Sequence, residues 1–179
     1  MKAALLKIAI IGPESTGKST LSQALAWHYK TKWSREYARK YLENLNRDYI
    51  QEDLIEIAKG QIANEEKAIQ NARKYVFFDT NLEVIKVWSQ YKYGNVPDPI
   101  YHWHKAREYH AYILTNIDLP WEDDPLREHP DPKQRKELFA IYLNIVKKSG
   151  LPYHIVSGNE KDRLESAIKF LNKEFGENY

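Results

Sequence analysis

The chain has 179 residues, of which 42% are hydrophobic and 29% are charged, and its formal net charge is +2. These values are typical of a globular protein and exclude a disordered or fibrous chain, and the absence of cysteine excludes disulfides and thiolate metal sites. Basic and acidic residues alternate, and no apolar segment is long enough to span a bilayer. We therefore expect one cytoplasmic domain over residues 1–179 without nucleic-acid or membrane partners, and in an oligomeric state that the sequence does not indicate.

The first predicted elements are a strand, a glycine-rich loop and a helix. Residues 7–11 form a short apolar run that suits a buried parallel strand. The run ends at Gly12, and apolar residues at helical spacing then predict a helix over residues 18–29. The N-terminus of that helix is expected to point at the loop.

Strands and helices alternate along the rest of the chain. This order predicts a parallel sheet that is covered by helices on both faces. We expect a three-layer α/β P-loop fold with a central sheet of about five strands and a helical lid. Strands are predicted at residues 31–33, 75–78, 112–114 and 154–156, helices over residues 51–73 and 160–174, and the lid over about residues 121–136.

The strongest motif is the segment from Gly12 to Ser19, which fits the pattern Gly-x-x-x-x-Gly-Lys-Ser/Thr between a strand and a helix. The backbone N–H groups of such a loop surround nucleotide phosphates, and the helix N-terminus adds partial positive charge. We expect Lys18 to bridge the β- and γ-phosphates and Ser19 to hold Mg²⁺. The motif predicts ATP and Mg²⁺ as cofactors, with nucleotide contacts from Gly12, Glu14, Ser15, Thr16, Gly17, Lys18, Ser19 and Thr20.

Two carboxylates are predicted to lie beside this loop. Asp79 closes the strand at 75–78, where P-loop enzymes hold the Mg²⁺ shell; the alternative is a helix cap, a role for which Thr80 is the better candidate. Glu36 follows the edge strand at 31–33, and its carboxylate could bind or deprotonate an acceptor hydroxyl. The alternative for Glu36 is a solvated helix start.

The lid segment is polar and interrupted by prolines. Arg127, Lys133 and Arg135 could bring cations to the transferring phosphoryl group, although such a charge run also fits a solvated face. Asp118 follows a strand close to Trp121, which could stack on a planar ring, and a simple turn explains this pair equally well. Core or interface packing is favoured for most of the aromatic residues in the middle region, namely Trp88, Tyr91, Tyr93, Trp103 and Tyr109.

Taken together, the motifs resemble the ribosylnicotinamide kinase domain of NadR-type proteins over roughly residues 7–175. The pattern Pro-Trp-x-x-Asp-x-x-Arg after a strand and an Asp is far more specific than the glycine loop. The matching residues are the loop through Leu21, Glu36-Tyr37-Ala38-Arg39, Tyr41, Asp53, Gln61, Phe78-Asp79-Thr80, Asp118-Leu119-Pro120-Trp121, Asp124, Arg127, Arg135, Gly158 and Arg163.

The resemblance implies transfer of the ATP γ-phosphate to the 5′-hydroxyl of nicotinamide riboside, which gives nicotinamide mononucleotide for NAD biosynthesis. It implies catalytic roles for Lys18, Asp79, Glu36, Arg127 and Arg135, with Mg²⁺ on Ser19 and Asp79. Nucleotide contacts are extended to Gly158 and Arg163. Acceptor contacts are implied for Glu36, Tyr37, Arg39, Asp118, Trp121 and Asp124.

Two other functions fit the same sequence. A kinase for nucleoside monophosphates or another small metabolite would use Arg35 and Arg39 to bind an acceptor phosphate. A regulatory switch would use bound ATP to order loops that a protein partner recognises. A switch should turn over slowly until a partner stimulates it, whereas a kinase should need a small acceptor.

Overall fold

The computed structural model describes residues 4–176, which form five strands and seven helices. Strands and helices alternate along most of the chain. The strands are β1 (Leu6–Ile11), β2 (Lys32–Ser34), β3 (Tyr75–Asp79), β4 (Ala111–Thr115) and β5 (Tyr153–Val156). The helices are α1 (Lys18–His28), α2 (Tyr37–Glu43), α3 (Asp53–Gln70), α4 (Leu82–Tyr93), α5 (Asp98–Lys105), α6 (Pro132–Lys148) and α7 (Glu160–Phe175).

The five strands form one parallel sheet in the order β2-β3-β1-β4-β5. Ile10 of β1 pairs with Asp79 of β3, and Ile11 pairs with Leu114 of β4. The carboxyl ends of the three central strands therefore lie side by side, at the edge where open α/β sheets bind ligands. The predicted three-layer P-loop fold with about five strands is confirmed.

Side chains of β1 alternate between the two faces of the sheet, as the period of a strand requires. Ile8 and Ile10 pack with helices α1 and α7, whereas Ala9 and Ile11 pack in a second cluster with residues of α6. Burial on both faces explains why β1, β3 and β4 are largely apolar.

A third cluster packs helices α2, α3, α4 and α5 against one another beside the sheet. Its buried members include Ala38 of α2, Leu54 of α3, Leu82 of α4 and Ile100 of α5. This cluster fixes the position of the segment that leaves β2, and so the position of Glu36.

The bounds of one predicted helix are wrong, and the segment predicted as the lid divides into two parts. The helix predicted over 51–73 is α3, which begins at Asp53 and ends at Gln70, where the Asn71 side chain bonds to the Lys67 carbonyl. The lid predicted over 121–136 is irregular only as far as Asp131, whose side chain caps α6. Lys133 and Arg135 therefore lie in the first turn of a helix.

The predicted cap of α4 is also wrong. Thr80 has φ 66°, a left-handed backbone angle, whereas the N-cap residue needs extended backbone. Asn81 takes that position and accepts a hydrogen bond from the Glu83 N–H at 3.1 Å. Asp79 therefore does not cap α4, because the N-cap residue is Asn81, two residues further along the chain.

Asp53 organises the start of α3. Its carboxylate accepts two hydrogen bonds from Arg47, at 2.7 and 2.8 Å, one from the Tyr41 hydroxyl at 2.8 Å and one from the Ile50 N–H at 2.8 Å. The hydrogen bonds from Arg47, above all, hold the pKa of Asp53 below its ordinary value. Asp53 therefore joins α2, the connecting loop and α3.

We predict that Asp53→Asn lowers the free energy of unfolding by about 2 kcal/mol, because the amide cannot accept the paired bonds from Arg47. Since the folded pKa of Asp53 is depressed, its contribution is complete above its ordinary pKa of 3.8 and is lost as pH falls further. Urea unfolding from about pH 5 to pH 8 should show a constant difference from wild type.

The control is Glu56→Gln, an exposed position on the same helix whose partner is Lys59. A surface pair of this kind contributes less than about 1 kcal/mol. Equal losses in the two variants would contradict a specific role for Asp53.

Candidate active site

The glycine loop is fixed against the end of β4. Gly12 has φ 146°, and a Cβ added there would lie 2.4 Å from the Thr115 hydroxyl oxygen. Thr16 Oγ1 lies 2.7 Å from both the Pro13 carbonyl oxygen and Thr115 Oγ1. Gly17, with φ 75°, immediately precedes α1. The loop therefore needs glycine at Gly12 and Gly17.

Arg163 of α7 holds the back of the loop and is only 2% exposed. Its guanidinium donates to the carbonyls of Thr16 and Gly158, both at 2.8 Å, and forms an ion pair with Asp118. Asp118 also accepts the Gly158 N–H at 2.6 Å. The polar groups of Arg163 and Asp118 are thus engaged within the protein.

A cavity of about 680 Å³ runs from the glycine loop towards α2, α4 and α6. One end is the loop itself. The other end is mainly apolar and aromatic, and its lining residues include Leu42, Val84, Val87, Trp88, Tyr91, Leu138 and Tyr142.

Twelve of the predicted site residues line this cavity. They are Gly12, Glu14, Ser15, Thr16, Gly17, Lys18, Ser19, Thr20, Glu36, Arg39, Arg127 and Arg163. Seven others do not line it: Tyr37, Asp79, Asp118, Trp121, Asp124, Arg135 and Gly158. The roles assigned to both groups stay predictions.

Asp79 lies directly behind Ser19 and Glu36. The Ser19 hydroxyl and the Glu36 backbone N–H lie close enough to its carboxylate to lower its pKa. Burial raises the pKa of Asp79, the Glu36 carboxylate raises it further, and Ser19 and Lys18 oppose the rise. Its Oδ1 atom is buried without a hydrogen-bond partner.

An unpartnered carboxylate oxygen next to a serine hydroxyl fits Mg²⁺, which binds few protein groups and completes its shell with phosphate oxygens and water. Lys18 Nζ lies within the loop, 2.7 Å from the Pro13 carbonyl oxygen. Residues 4–176 contain no group of three or more acidic or histidine side chains that could hold a metal alone. Ser19 and Asp79 are therefore the residues that would hold Mg²⁺ with the nucleotide.

Gln61 positions the segment that carries Glu36. Its Oε1 accepts the Tyr37 N–H at 2.9 Å, and its Nε2 donates to the Thr80 carbonyl at 3.0 Å. The Tyr37 ring lies over Gly60, where an added Cβ would come within 2.1 Å of it. The Gln61 amide thus bridges Tyr37 and Thr80, the residues that directly follow Glu36 and Asp79. The Tyr37 ring packs on α3.

The lid is bonded directly to the glycine loop. Glu14 Oε2 accepts the N–H groups of Glu128 and His129, at 3.0 and 3.1 Å. The Ser15 hydroxyl oxygen accepts the Glu122 N–H at 3.0 Å and Arg127 Nη1 at 3.3 Å. Side chains of the glycine loop therefore hold the segment from Glu122 to His129.

Trp121 is engaged with the lid arginines. The guanidinium carbons of Arg127 and Arg135 lie 5.9 and 5.6 Å from its ring centroid. Arg135 also donates to the carbonyls of Ser15 and Leu119, both at 3.3 Å. This arrangement places the Trp121 ring against two cations, outside the cavity lining.

The sequence indicated core or interface packing for most of the central aromatic residues, but Trp88 and Tyr91 line the apolar end of the cavity. The two lie three residues apart on α4, so they share a helix face. Their spacing of three residues, on the helix that follows Asp79, was the sequence signal that could have identified them as residues of the cavity.

Comparison with known families identifies the domain described as AAA domain over residues 7–163. The chain is 26% identical to the trifunctional NAD biosynthesis/regulator protein NadR of Escherichia coli K12, and 25% identical to that of Salmonella typhimurium. Each match covers 95% of this chain and 43% of the relative. The chain thus spans less than half the length of these curated relatives, and the predicted NadR-type resemblance is confirmed.

Solved structures show the same fold. A NadR protein in complex with NR superposes with TM-score 0.77 and 21% identity over 97% of this chain and 52% of that one. Thymidylate kinase from Ehrlichia chaffeensis gives TM-score 0.70 and 14% identity over 94% of this chain and 100% of that one. Every helix within residues 4–176 is too short or too polar to cross a membrane.

We predict that Gln61→Met lowers the free energy of unfolding by about 2 kcal/mol, because the Tyr37 N–H and the Thr80 carbonyl lose their buried partner. Affinity for Mg²⁺-ATP should change less than about threefold, since the loop does not contact Gln61. Urea unfolding and nucleotide titration measure the two effects.

The matched control is Gln90→Met on α4, where the exposed side chain bonds only to the Gly94 carbonyl. That change should cost less than about 0.5 kcal/mol. A loss of nucleotide affinity as large as the loss of stability in Gln61→Met would show that Gln61 acts on the loop.

Proposed function

This chain belongs to the AAA domain family, and from that premise we propose that it is a kinase that transfers the γ-phosphoryl group of Mg²⁺-ATP to the 5′-hydroxyl of a nucleoside. Nicotinamide riboside is the proposed acceptor. One observation carries the proposal: a single cavity has a phosphate-binding loop at one end and an aromatic, apolar end at the other, with Glu36 on its wall.

In the proposed reaction the residues act mainly by position and charge. The loop N–H groups hold the ATP phosphates, and Lys18 and the lid residue Arg127 balance the charge that develops on the transferring group. Ser19 and Asp79 would hold Mg²⁺, which would supply positive charge that neutralises the phosphates. Glu36 takes the proton of the acceptor hydroxyl as that oxygen attacks the γ-phosphorus, while the bond from the γ-phosphorus to the β,γ-bridging oxygen breaks and ADP leaves.

The positions of the two arginines favour a nucleoside over a nucleoside monophosphate. A phosphate-bearing acceptor needs cations that are free to bind it. Arg35 lies 5.5 Å from the centroid of the Trp33 ring, in an adjoining groove that shares Glu36 and Arg39 with this cavity but does not bring Arg35 into its lining. Arg39 lines the cavity but is paired with Asp124 at 2.8 Å.

Similarity supports the choice of nicotinamide riboside. The NadR protein of known structure that superposes on 97% of this chain is in complex with NR. A regulatory switch is less well supported, because a switch requires neither a carboxylate at the cavity wall nor an apolar end beyond it. The acceptor end is the feature that a kinase needs and a switch does not.

We predict that Mg²⁺-ATP consumption by the purified protein depends on a nucleoside acceptor. Among nicotinamide riboside, common nucleosides and their monophosphates, nicotinamide riboside should give the highest kcat/KM. Lys18→Ala should lower that value by about 10²-fold or more, because a main cation at the phosphates is lost.

The matched control is Lys59→Ala, an exposed position on α3 outside the cavity, which should leave the kinetics unchanged. Preference for a monophosphate would support the alternative kinase. ATP hydrolysis that no acceptor changes would support the switch.

A further inference from the structure

Arg39 is the one cation on α2 that lines the active-site cavity. Its Nη2 atom donates to Asp124 Oδ2 at 2.8 Å, and its Nη1 atom lies 3.8 Å from Glu43 Oε1. The side chains of Arg39 and Asp124 are 44% and 20% exposed. The pair joins α2 to the lid at the cavity wall.

Asp124 is itself held in place by the lid. Its Oδ1 atom accepts the Leu126 N–H at 2.9 Å, while Oδ2 faces Arg39. The Leu126 N–H, first, and then Arg39 lower the pKa of this carboxyl. Asp124 is therefore a fixed negative charge at neutral pH, aimed at Arg39.

The other lysine and arginine side chains that line the cavity lie in or beside the glycine loop or at the start of α7. Lys18 lies within the loop, Arg163 is buried behind it, and Arg127 reaches Ser15 of the loop. Lys161 lies at the start of α7. Among the lysines and arginines of residues 4–176 that line the cavity, this leaves Arg39 beside the acceptor end.

Arg39 stands close to the proposed reacting group. Glu36 immediately precedes α2, and Arg39 follows it by three residues, so the two side chains lie on the same side of the helix start. Both line the cavity. A phosphate on the acceptor's 5′-oxygen, brought to Glu36, would therefore lie within reach of the Arg39 guanidinium.

We propose that Asp124 neutralises Arg39 and thereby makes the acceptor site select a nucleoside and reject a nucleoside 5′-monophosphate. The inference rests on the proposed function, because it assumes that the apolar end holds the acceptor. A phosphate monoester carries nearly two negative charges and needs an uncompensated cation in a partly buried site. The Asp124 carboxylate neutralises the positive charge of Arg39 and repels the phosphate. An uncharged ribose 5′-hydroxyl needs no free cation and is not repelled.

The same pairing bears on release of the product. The product of the proposed reaction is itself a 5′-monophosphate, so a free Arg39 would hold it in the site. Neutralisation of Arg39 by Asp124 therefore favours turnover as well as selection. Asp124 is a specificity-determining residue that acts through Arg39.

Titration calorimetry with nicotinamide mononucleotide and nicotinamide riboside tests the proposal on four proteins: wild type, Asp124→Asn, Glu43→Gln and Asp124→Asn/Arg39→Gln. Asparagine keeps an oxygen for the Leu126 N–H but removes the negative charge. Asp124→Asn should bind the monophosphate about tenfold more tightly than wild type and the riboside within about threefold. Glu43→Gln removes a more distant carboxylate near Arg39, leaves the Glu36 carboxylate in place, and should change neither affinity.

The double variant decides whether the gain comes from Arg39. Addition of Arg39→Gln should return the monophosphate affinity to the wild-type value or below it. Unchanged or weaker monophosphate binding by Asp124→Asn would overturn the proposal, as would a gain that survives in the double variant.

The calorimetry tests the role of Asp124, and the acceptor panel tests the kinase assignment, so the two hypotheses can be rejected separately. Turnover of nucleosides without a gain in Asp124→Asn would reject the neutralisation of Arg39 and leave the kinase assignment intact. A wild-type preference for monophosphate acceptors would reject both. The calorimetry needs no turnover, so it judges the role of Asp124 even where the proposed reaction fails.

Discussion

The rest of the site depends on how the glycine loop is held at the carboxyl end of β1. Gly12 lies so close to Thr115 that only hydrogen fits in place of a side chain, and Arg163 fixes the Thr16 carbonyl from behind. Because β1 is the central strand, its end lies between the ends of β3 and β4. The sheet thereby brings Asp79 to Ser19 and closes the loop on β4.

A second set of contacts places the start of α2 and the segment after β4 relative to that loop. Gln61 ties the start of α2 to the turn after β3, and the Glu36 backbone N–H lies close to the Asp79 carboxylate. Glu14 and Ser15 then bind the lid through hydrogen bonds from the lid residues. The loop is thus connected to both walls of the cavity, and positioning of this kind is what phosphoryl transfer requires of a protein.

Much of the fold was predictable from local sequence, but the fine placement was not. The strands β1, β3 and β4 are apolar runs because both of their faces are buried. Helix α6 was missed because its polar first turn continues the lid, and the Asp131 cap was not recognised. The bridge made by Gln61 joins residues 24 and 19 positions away, and no short-range pattern contains such information.

The central claim is that one cavity delivers the ATP γ-phosphoryl group to an acceptor hydroxyl. Mass spectrometry of the products formed from nicotinamide riboside and ATP labelled with ¹⁸O on the γ-phosphoryl group tests it directly. The account predicts nicotinamide mononucleotide whose phosphate carries the label. Label found only in inorganic phosphate would contradict transfer and would show that water, not a nucleoside, is the acceptor.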